Sequence, residues 1–360
     1  GMDPVEFRLL NGAKEGSRQP TGPEHRKIGF IECLQAAQQH PHWNTPLEGA
    51  NRGRGVAAGC WFNGTGPASA VVSVTPDGTV SLVEGSPDIG GSRTAMAMHV
   101  AEVLGIPAED VKPSIADTDS IGYSSGAGGS GVTFKMGTAV YQAAEDVREQ
   151  LVERAAKIWD VSKEDVEYES GSIKHKSDPE LRLTFTQIAR RLNGTGGPII
   201  GRGTANPGGV GSAFAVHIVD VEVDPDTGKV DVLRYTSIQD VGKAIHPSYV
   251  EGQIQGGAVQ GIGWALNEEY YYNDEGSMVN SSFLDYRMPI SLDLPMIDTV
   301  LVEVANPGHP LGVRGVGEAC LVPPMAAIAN AISHAIDARV ECLPMNPGVV
   351  LETIWQKSGT

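Results

Sequence analysis

Cysteine is scarce. There are four in 360 residues (Cys33, Cys60, Cys320 and Cys342), and no two are spaced as Cys-x-x-Cys. Neither a zinc site nor an iron–sulfur cluster is signalled, and a chain this long needs no disulfide scaffold. Reduced thiols and a cytoplasmic setting are the expectation. Basic residues are also short: 27 Lys+Arg stand against 44 Asp+Glu, for a formal net charge of −17. Binding to a phosphate backbone or an anionic lipid face needs the opposite sign, which argues against nucleic acid as a partner. No apolar run approaches the length of a membrane span, and no basic-then-apolar leader opens the sequence given. The nine histidines show no metal-ligand spacing, so no protein ligand to a metal is assigned.

Glycine, by contrast, is abundant at 45 residues, in a chain that is 41% hydrophobic and 20% charged. That is the composition of an ordinary globular protein of two or three units. The glycines cluster at 85–92, 122–131 and 312–317. A lone glycine loop is more often a turn. Three of them can aim backbone N–H groups at one anion, and together they suggest a large, flat, polar ligand carrying phosphate. The last cluster ends in Gly315-Val316-Gly317-Glu318, ahead of the apolar stretch Cys320–Ile336. A carboxylate on a glycine-flanked bend at a helix entry can sit bare at the floor of a cleft. Taken alone, a first-turn Glu on an ordinary helix explains it better.

Periodicity outlines the elements. A short helix capped by Asp3 opens the chain, and 28–39 fits a second. This arm shows no core of its own and is expected to pack on something else. Ala68–Thr75 and Thr79–Glu84 read as a hairpin, Thr94–Leu104 as a helix stopped at Gly105, and Val111–Ala116 as a strand. Gly137–Trp159 has the pattern of a long helix. Ala213–Val223 and Lys229–Gln239 form a second hairpin, followed by Asp240-Val241-Gly242, a helix to about Glu268, and a strand at Val300–Val304. Hairpin, glycine passage and helix thus occur twice. Two other motifs fail their context. Gly122-Tyr123-Ser124-Ser125-Gly126 fits the serine-hydrolase elbow, but more glycines follow where the helix should begin. Gly209-Val210-Gly211 precedes a strand instead of a helix, which disfavours a dinucleotide site.

Longer motifs carry a family resemblance. Asp240-Val241-Gly242-x-x-x-x-Pro247, then Val250-Glu251-Gly252-Gln253-Ile254-x-Gly256-Gly257-x-x-Gln260-Gly261, resembles the molybdenum hydroxylases, the xanthine dehydrogenase and aldehyde oxidase family. Asp285-Tyr286-x-x-Pro289 and Gly312-Val313-Arg314-Gly315-Val316-Gly317-Glu318 are similar to that family's closing motifs, and Val221-Glu222-Val223-Asp224-x-x-Thr227-Gly228-x-Val230 looks like an upstream segment. The resemblance covers essentially the whole chain, as the C-terminal half of the molybdopterin-binding subunit. It implies an α+β fold of repeated small sheet-plus-helix modules: an N-terminal helical arm (1–54), a first cofactor-binding module with a connecting segment (55–204), and a second with the catalytic loop (205–360). It implies a molybdopterin cofactor with molybdenum, in the cytosine dinucleotide form, held without side-chain ligands to the metal. Glu318 takes the place of the family's general base. Gly128, Gly129, Ser130, Gly131, Val132 and Thr133 fall where backbone donors meet the pterin and phosphates, and Gln253 and Gly317 fall beside the cofactor.

Departures are informative. Where the family often has Met-Gly-Gln-Gly, this chain has Ile89-Gly90-Gly91-Ser92, so Gly91 replaces a glutamine; Ser92 and Arg93 are candidate substitutes through hydroxyl or phosphate contacts. Cys320 follows Glu318 closely and is expected to pack as a small core residue. The family's first molybdenum half and its iron–sulfur and flavin domains have no counterpart here. The chain is therefore expected to be half a site, either one subunit of a split enzyme or a piece of a longer chain; the resemblance implies a hetero-oligomer with those parts as partners, electrons passing to them, and no activity without the partner half. The implied activity is oxidative hydroxylation of an N-heterocycle or aldehyde, with water as the oxygen source. The alternative is a non-catalytic binding or assembly subunit that keeps the fold.

Overall fold

A computed structural model describes residues 1–209 and 211–358; Val210, inside the Gly209–Gly211 stretch weighed above, lies outside the described residues. The chain opens with α1 (Pro4–Asn11), whose cap Asp3 accepts from the N–H groups of Val5 and Glu6 at 2.8 and 3.0 Å, then α2 (Phe30–Gln39) and the one-turn α3 (Pro41–Asn44). Next come β1 (Arg52–Trp61), β2 (Ala68–Val74), β3 (Val80–Glu84), α4 (Ser92–Leu104), β4 (Val111–Ile115), the short α5 (Thr118–Ile121) and α6 (Val132–Trp159). A three-stranded sheet, β5 (Val166–Glu169), β6 (Ser172–His175) and β7 (Arg182–Thr184), leads through α7 (Phe185–Ala189) and α8 (Leu192–Thr195) to β8 (Ile199–Ala205). The remainder is β9 (Ala213–Val223), β10 (Val230–Asp240), α9 (Pro247–Leu266), β11 (Ile297–Val302), α10 (Pro324–Ile336) and α11 (Pro347–Ser358).

Two sheets share one plan. Their strand orders are β4-β3-β2-β8 and β11-β10-β9-β1. In each, a hairpin (β2–β3, β9–β10) is followed by a crossover helix (α4, α9) and a strand parallel to the hairpin's second arm. The helical crossover is what a parallel neighbour requires. A second helix, α6 or α10, then covers the outer antiparallel strand. The same device brings it close in both modules. The outer strands carry Gly201-Arg202-Gly203 and Gly53-Arg54-Gly55, and a Cβ at any of these glycines would collide with a helix carbonyl, of Ala143, Ala139, Ala331 and Ala327 in turn. The repeat is thus real in three dimensions, with the outer strand moved: β8 follows its helix, while β1 precedes the rest of its sheet by the whole of the other module.

That displacement overrides chain order. The sequence reading begins the first module at residue 55, but β1 runs beside β9 over Arg52–Trp61 and belongs to the second sheet. The arm, which has no core of its own, packs on that same sheet: Val5, Cys33, Leu34 and Ala37 meet Val216, Ile218 and Ile238. With helices on both faces, β9 is buried at nearly every position, the pattern of a doubly covered strand. A second correction concerns Ala319–Ile336, which is long and apolar enough by composition to cross a membrane. Its helical part, α10, lies on β1 and β9 with Ala327, Ile328, Ala331 and Ile332 buried.

Among the described residues four histidines, His42, His99, His217 and His309, are buried, and three of these rings have no charged partner to offset burial. His217 lies between the Tyr235 hydroxyl (2.7 Å) and Ser237 Oγ (2.6 Å), and His99 contacts the Ala95 carbonyl (2.7 Å) with His309 edge-on beside it. Burial pushes His217 and His309 down to about 3 and His99 to about 4. The unfolded chain takes up these protons near pH 6.5, whereas the folded chain stays neutral. Stability is therefore full above about pH 6.5 and falls below it, by up to about 1.4 kcal/mol per pH unit for each ring. The urea midpoint should drop steeply between about pH 6.5 and 5; a flat midpoint across that window contradicts the assignment.

Candidate functional site

The loops that leave the carboxyl ends of β3, β4, β10 and β11 all reach one cavity of about 320 Å³ between the modules. Its wall includes Gly90, Gly91, Ser92, Gly128, Ser130, Gly131, Val132, Thr133, Gln253, Gly317 and Glu318. Ligands commonly sit outside the carboxyl ends of parallel strands because helix N-termini follow there. Two such termini open here. Among the described residues no side chain caps α6 at Gly131, so its first-turn N–H groups remain available to an anion, whereas in α4 the Asp88 carboxylate already accepts from the Arg93 N–H at 3.1 Å. A phosphate-bearing ligand fits that donor set.

Glu318 and Ser130 join the two modules. Ser130 Oγ donates to Glu318 Oε2 at 2.7 Å and accepts from the Glu318 N–H at 3.0 Å. Ser130 holds φ +57, a left-handed conformation that turns its hydroxyl toward the carboxylate. Glu318 is half-buried and heads a short 3₁₀ turn, Ala319–Leu321; the α-helix begins only at Pro324, so the expected entry into a helix is corrected to a tighter bend. The bend is fixed from behind. Gln239 donates to the Val316 carbonyl at 2.8 Å. Cys320, its thiol pushed up to about 12 by burial, packs its sulfur against the Gly317 and Gln253 carbonyls, as a core residue should. Arg314 and Asp240 are both fully buried, with Nε 3.0 Å from Oδ2 in a charge contact that is not an aligned hydrogen bond. Arg314 also donates to the carbonyls of Ser212 (3.1 Å) and Lys27 (2.9 Å), and Asp240 accepts from Gly29 N–H (2.8 Å). Burial pushes the Asp240 carboxyl up despite Arg314.

Two expected site residues stand apart. Arg93 is paired with Asp88 at 2.8 Å on the exposed rim and does not line the cavity. Gly129 faces away, its carbonyl accepting from Gly64 N–H. Tyr249, which sequence reasoning missed, explains Gly91: a Cβ there would run into the Tyr249 ring. That ring stacks on His246 at 3.9 Å, and both line the cavity. The space a longer side chain would need at 91 is therefore already filled. With φ at +75, Gly91→Gln should lower stability by at least about 1 kcal/mol. Thermal unfolding checks this, and an unchanged midpoint contradicts it. The elbow-like segment is also settled: Ser124 Oγ accepts from Ser69 N–H at 3.1 Å, while buried Lys135 holds the carbonyls of Ser125 (3.1 Å) and Gly126 (2.7 Å). These contacts brace the glycine loop.

Comparison with known proteins decides the family. Residues 33–295 match the model of the molybdopterin cofactor-binding domain. The chain belongs to that family. It is 32% identical over 96% of its length to the putative xanthine dehydrogenase molybdenum-binding subunit of Escherichia coli K12, covering 49% of that protein. The crystal structure of quinoline 2-oxidoreductase from Pseudomonas putida 86 superimposes with a TM-score of 0.86 at 26% identity, over 99% of this chain and 50% of that one. The Cu,Mo-CO dehydrogenase structure shares the fold, with a TM-score of 0.90 at 23% identity over 99% of this chain and 50% of that one. The chain thus spans about half the length of these relatives, as the C-terminal half of a molybdenum hydroxylase large subunit. The α+β class and the cofactor-binding modules agree with this membership. Glu318 lies beyond the matched residues, so its role rests on the site's geometry and the motif that carries it.

Proposed function

We propose that this chain forms the cofactor-binding half of a molybdenum hydroxylase, which inserts a water-derived oxygen into an N-heterocycle or an aldehyde. The single observation that carries the reading is the Glu318–Ser130 pair at a cavity onto which the uncapped N-terminus of α6 opens. The cofactor is a molybdopterin in its cytosine dinucleotide form. When bound, it supplies the two-electron acceptor. The first-turn amides of α6, with Gly128 and Ser130, offset phosphate charge, and Ser92 and Gln253 supply side-chain hydrogen bonds. Ser130 holds Glu318 by Oε2. That leaves Oε1 to take the proton from the oxygen nucleophile as it attacks the substrate carbon. Ile89 and Tyr249 form an apolar edge to the cavity.

The partners of this reading are the N-terminal molybdenum half and the subunits carrying iron–sulfur and flavin centres, in a cytoplasmic hetero-oligomer. Electrons leave through those centres. Isolated chain is expected to lack cofactor and turnover. Metal analysis and hydroxylase assays on the chain alone and on the assembled enzyme test this. Stoichiometric molybdenum with turnover is predicted for the assembly only. Turnover by the chain alone, or an active assembly without molybdenum, contradicts it.

A further inference from the structure

One buried polar pair has no part in the proposed function. His99, on α4, is fully buried, and His309, in the loop between β11 and Glu318, is 5% exposed. Their rings meet edge-on with centroids 5.4 Å apart, and Phe134 of α6 lies 5.6 Å from His309. Neither Nε2 has a hydrogen-bond partner among the described residues. Buried polar atoms are seldom left so, and each one needs a reason. Both nitrogens also lie beside one point of α6. A Cβ at Gly137 would stand 2.6 Å from His99 Nε2 and 3.0 Å from His309 Nε2. Glycine at 137 keeps that point free of a side chain.

The other nitrogen of each ring decides what these two atoms are. His99 Nδ1 is 2.7 Å from the Ala95 carbonyl, which can only accept, so Nδ1 carries the proton. In the neutral ring Nε2 is then a bare acceptor. His309 Nδ1 accepts from the Leu311 N–H at 3.1 Å, so its proton is on Nε2, a donor. Both rings are neutral near pH 7, since burial pushes His99 down to about 4 and His309 to about 3. The one charge influence on His309 is that of His99 itself, and His99 feels none from any carboxylate or cation. A donor and an acceptor therefore stand at the same spot in an apolar core.

We infer that His99 and His309 bind one internal water molecule, which accepts from His309 Nε2–H and donates to His99 Nε2. Two polar partners are within the range that buried waters use. The edge-on rings close no direct N–H···N bond, and a water supplies what each lacks. A metal ion is the poorer occupant. His309 Nε2 offers no lone pair, and among the described residues no group of three His, Cys, Asp or Glu could hold one. The bridged pair is a second tie between the modules, beside Ser130 and Glu318. It joins the loop that ends in Glu318 to α4, against the backbone of α6. The site stands whether or not the cavity holds a molybdopterin.

Nitrogen NMR of the chain labelled at histidine, with His99→Gln and His309→Gln to assign the signals, tests the pair near neutral pH. His99 should show the Nδ1–H tautomer and His309 the Nε2–H tautomer. A crystal structure should place one water within about 2.7–3.2 Å of both Nε2 atoms. His99→Leu and His309→Leu should each lower the melting temperature and speed amide exchange across residues 305–318 by about tenfold. The double variant should melt no lower than the worse single one, because no polar atom is then left orphaned. Four results overturn the inference: the same tautomer in both rings, a direct contact between them with no water, a metal ion in the water's place, or losses that simply add in the double variant.

Discussion

Glu318→Gln is expected to lower turnover of the assembled enzyme by about 10²–10⁴-fold, the usual worth of a general base. Molybdenum content and assembly should stay unchanged. Glutamine keeps the size of the side chain and a carbonyl oxygen for Ser130, so the 2.7 Å contact can persist. What it loses is the ability to take a proton. The loss should therefore appear in kcat, with KM nearly unmoved. Ser130→Ala should cost less, about tenfold, as one charge-assisted hydrogen bond is removed while the base remains. Full turnover by the glutamine variant would place the base elsewhere. Assembly without turnover in the wild type would favour a binding subunit that keeps only the fold.

The second large effect is on stability. Arg314→Met should destabilise the chain by about 3–5 kcal/mol, because Asp240 is left buried without its counter-charge. The damage should reach the site, since Arg314 sits within the loop that ends in Glu318 and is tied to the carbonyls of Ser212 and Lys27. Adding Asp240→Asn to that background removes the orphaned charge and keeps an acceptor for Gly29 N–H, so much of the loss should return. Arg93→Met is the contrast. Its pair with Asp88 lies on the exposed rim and should contribute under about 1 kcal/mol. Urea unfolding of these variants checks the ranking; equal effects at 314 and 93 would contradict it.

Local signals were readable from residues alone. The Asp3 cap, both hairpins, the Gly105 stop and the glycine passages each depend on a few neighbouring residues, and each lies where expected. Long-range choices were not. Nothing in Arg52–Trp61 says that it pairs with β9 instead of the strands that follow it, because pairing is decided by which sheet has an open edge. Helix α6 begins at Val132, not Gly137; that glycine, read as a start, sits inside the helix where a Cβ would meet His99 and His309. The site was legible as a set of loops. Its internal contacts were not, since Tyr249 against Gly91 and Ser130 against Glu318 join segments far apart in the chain.

The most direct test is an anomalous difference map collected at the molybdenum edge on crystals of the assembled enzyme. A single strong peak is predicted inside the cavity bounded by Ser130, Gln253 and Glu318, with pterin density running toward the first turn of α6. A peak outside that cavity, or a Glu318 side chain turned into bulk solvent, would contradict the account.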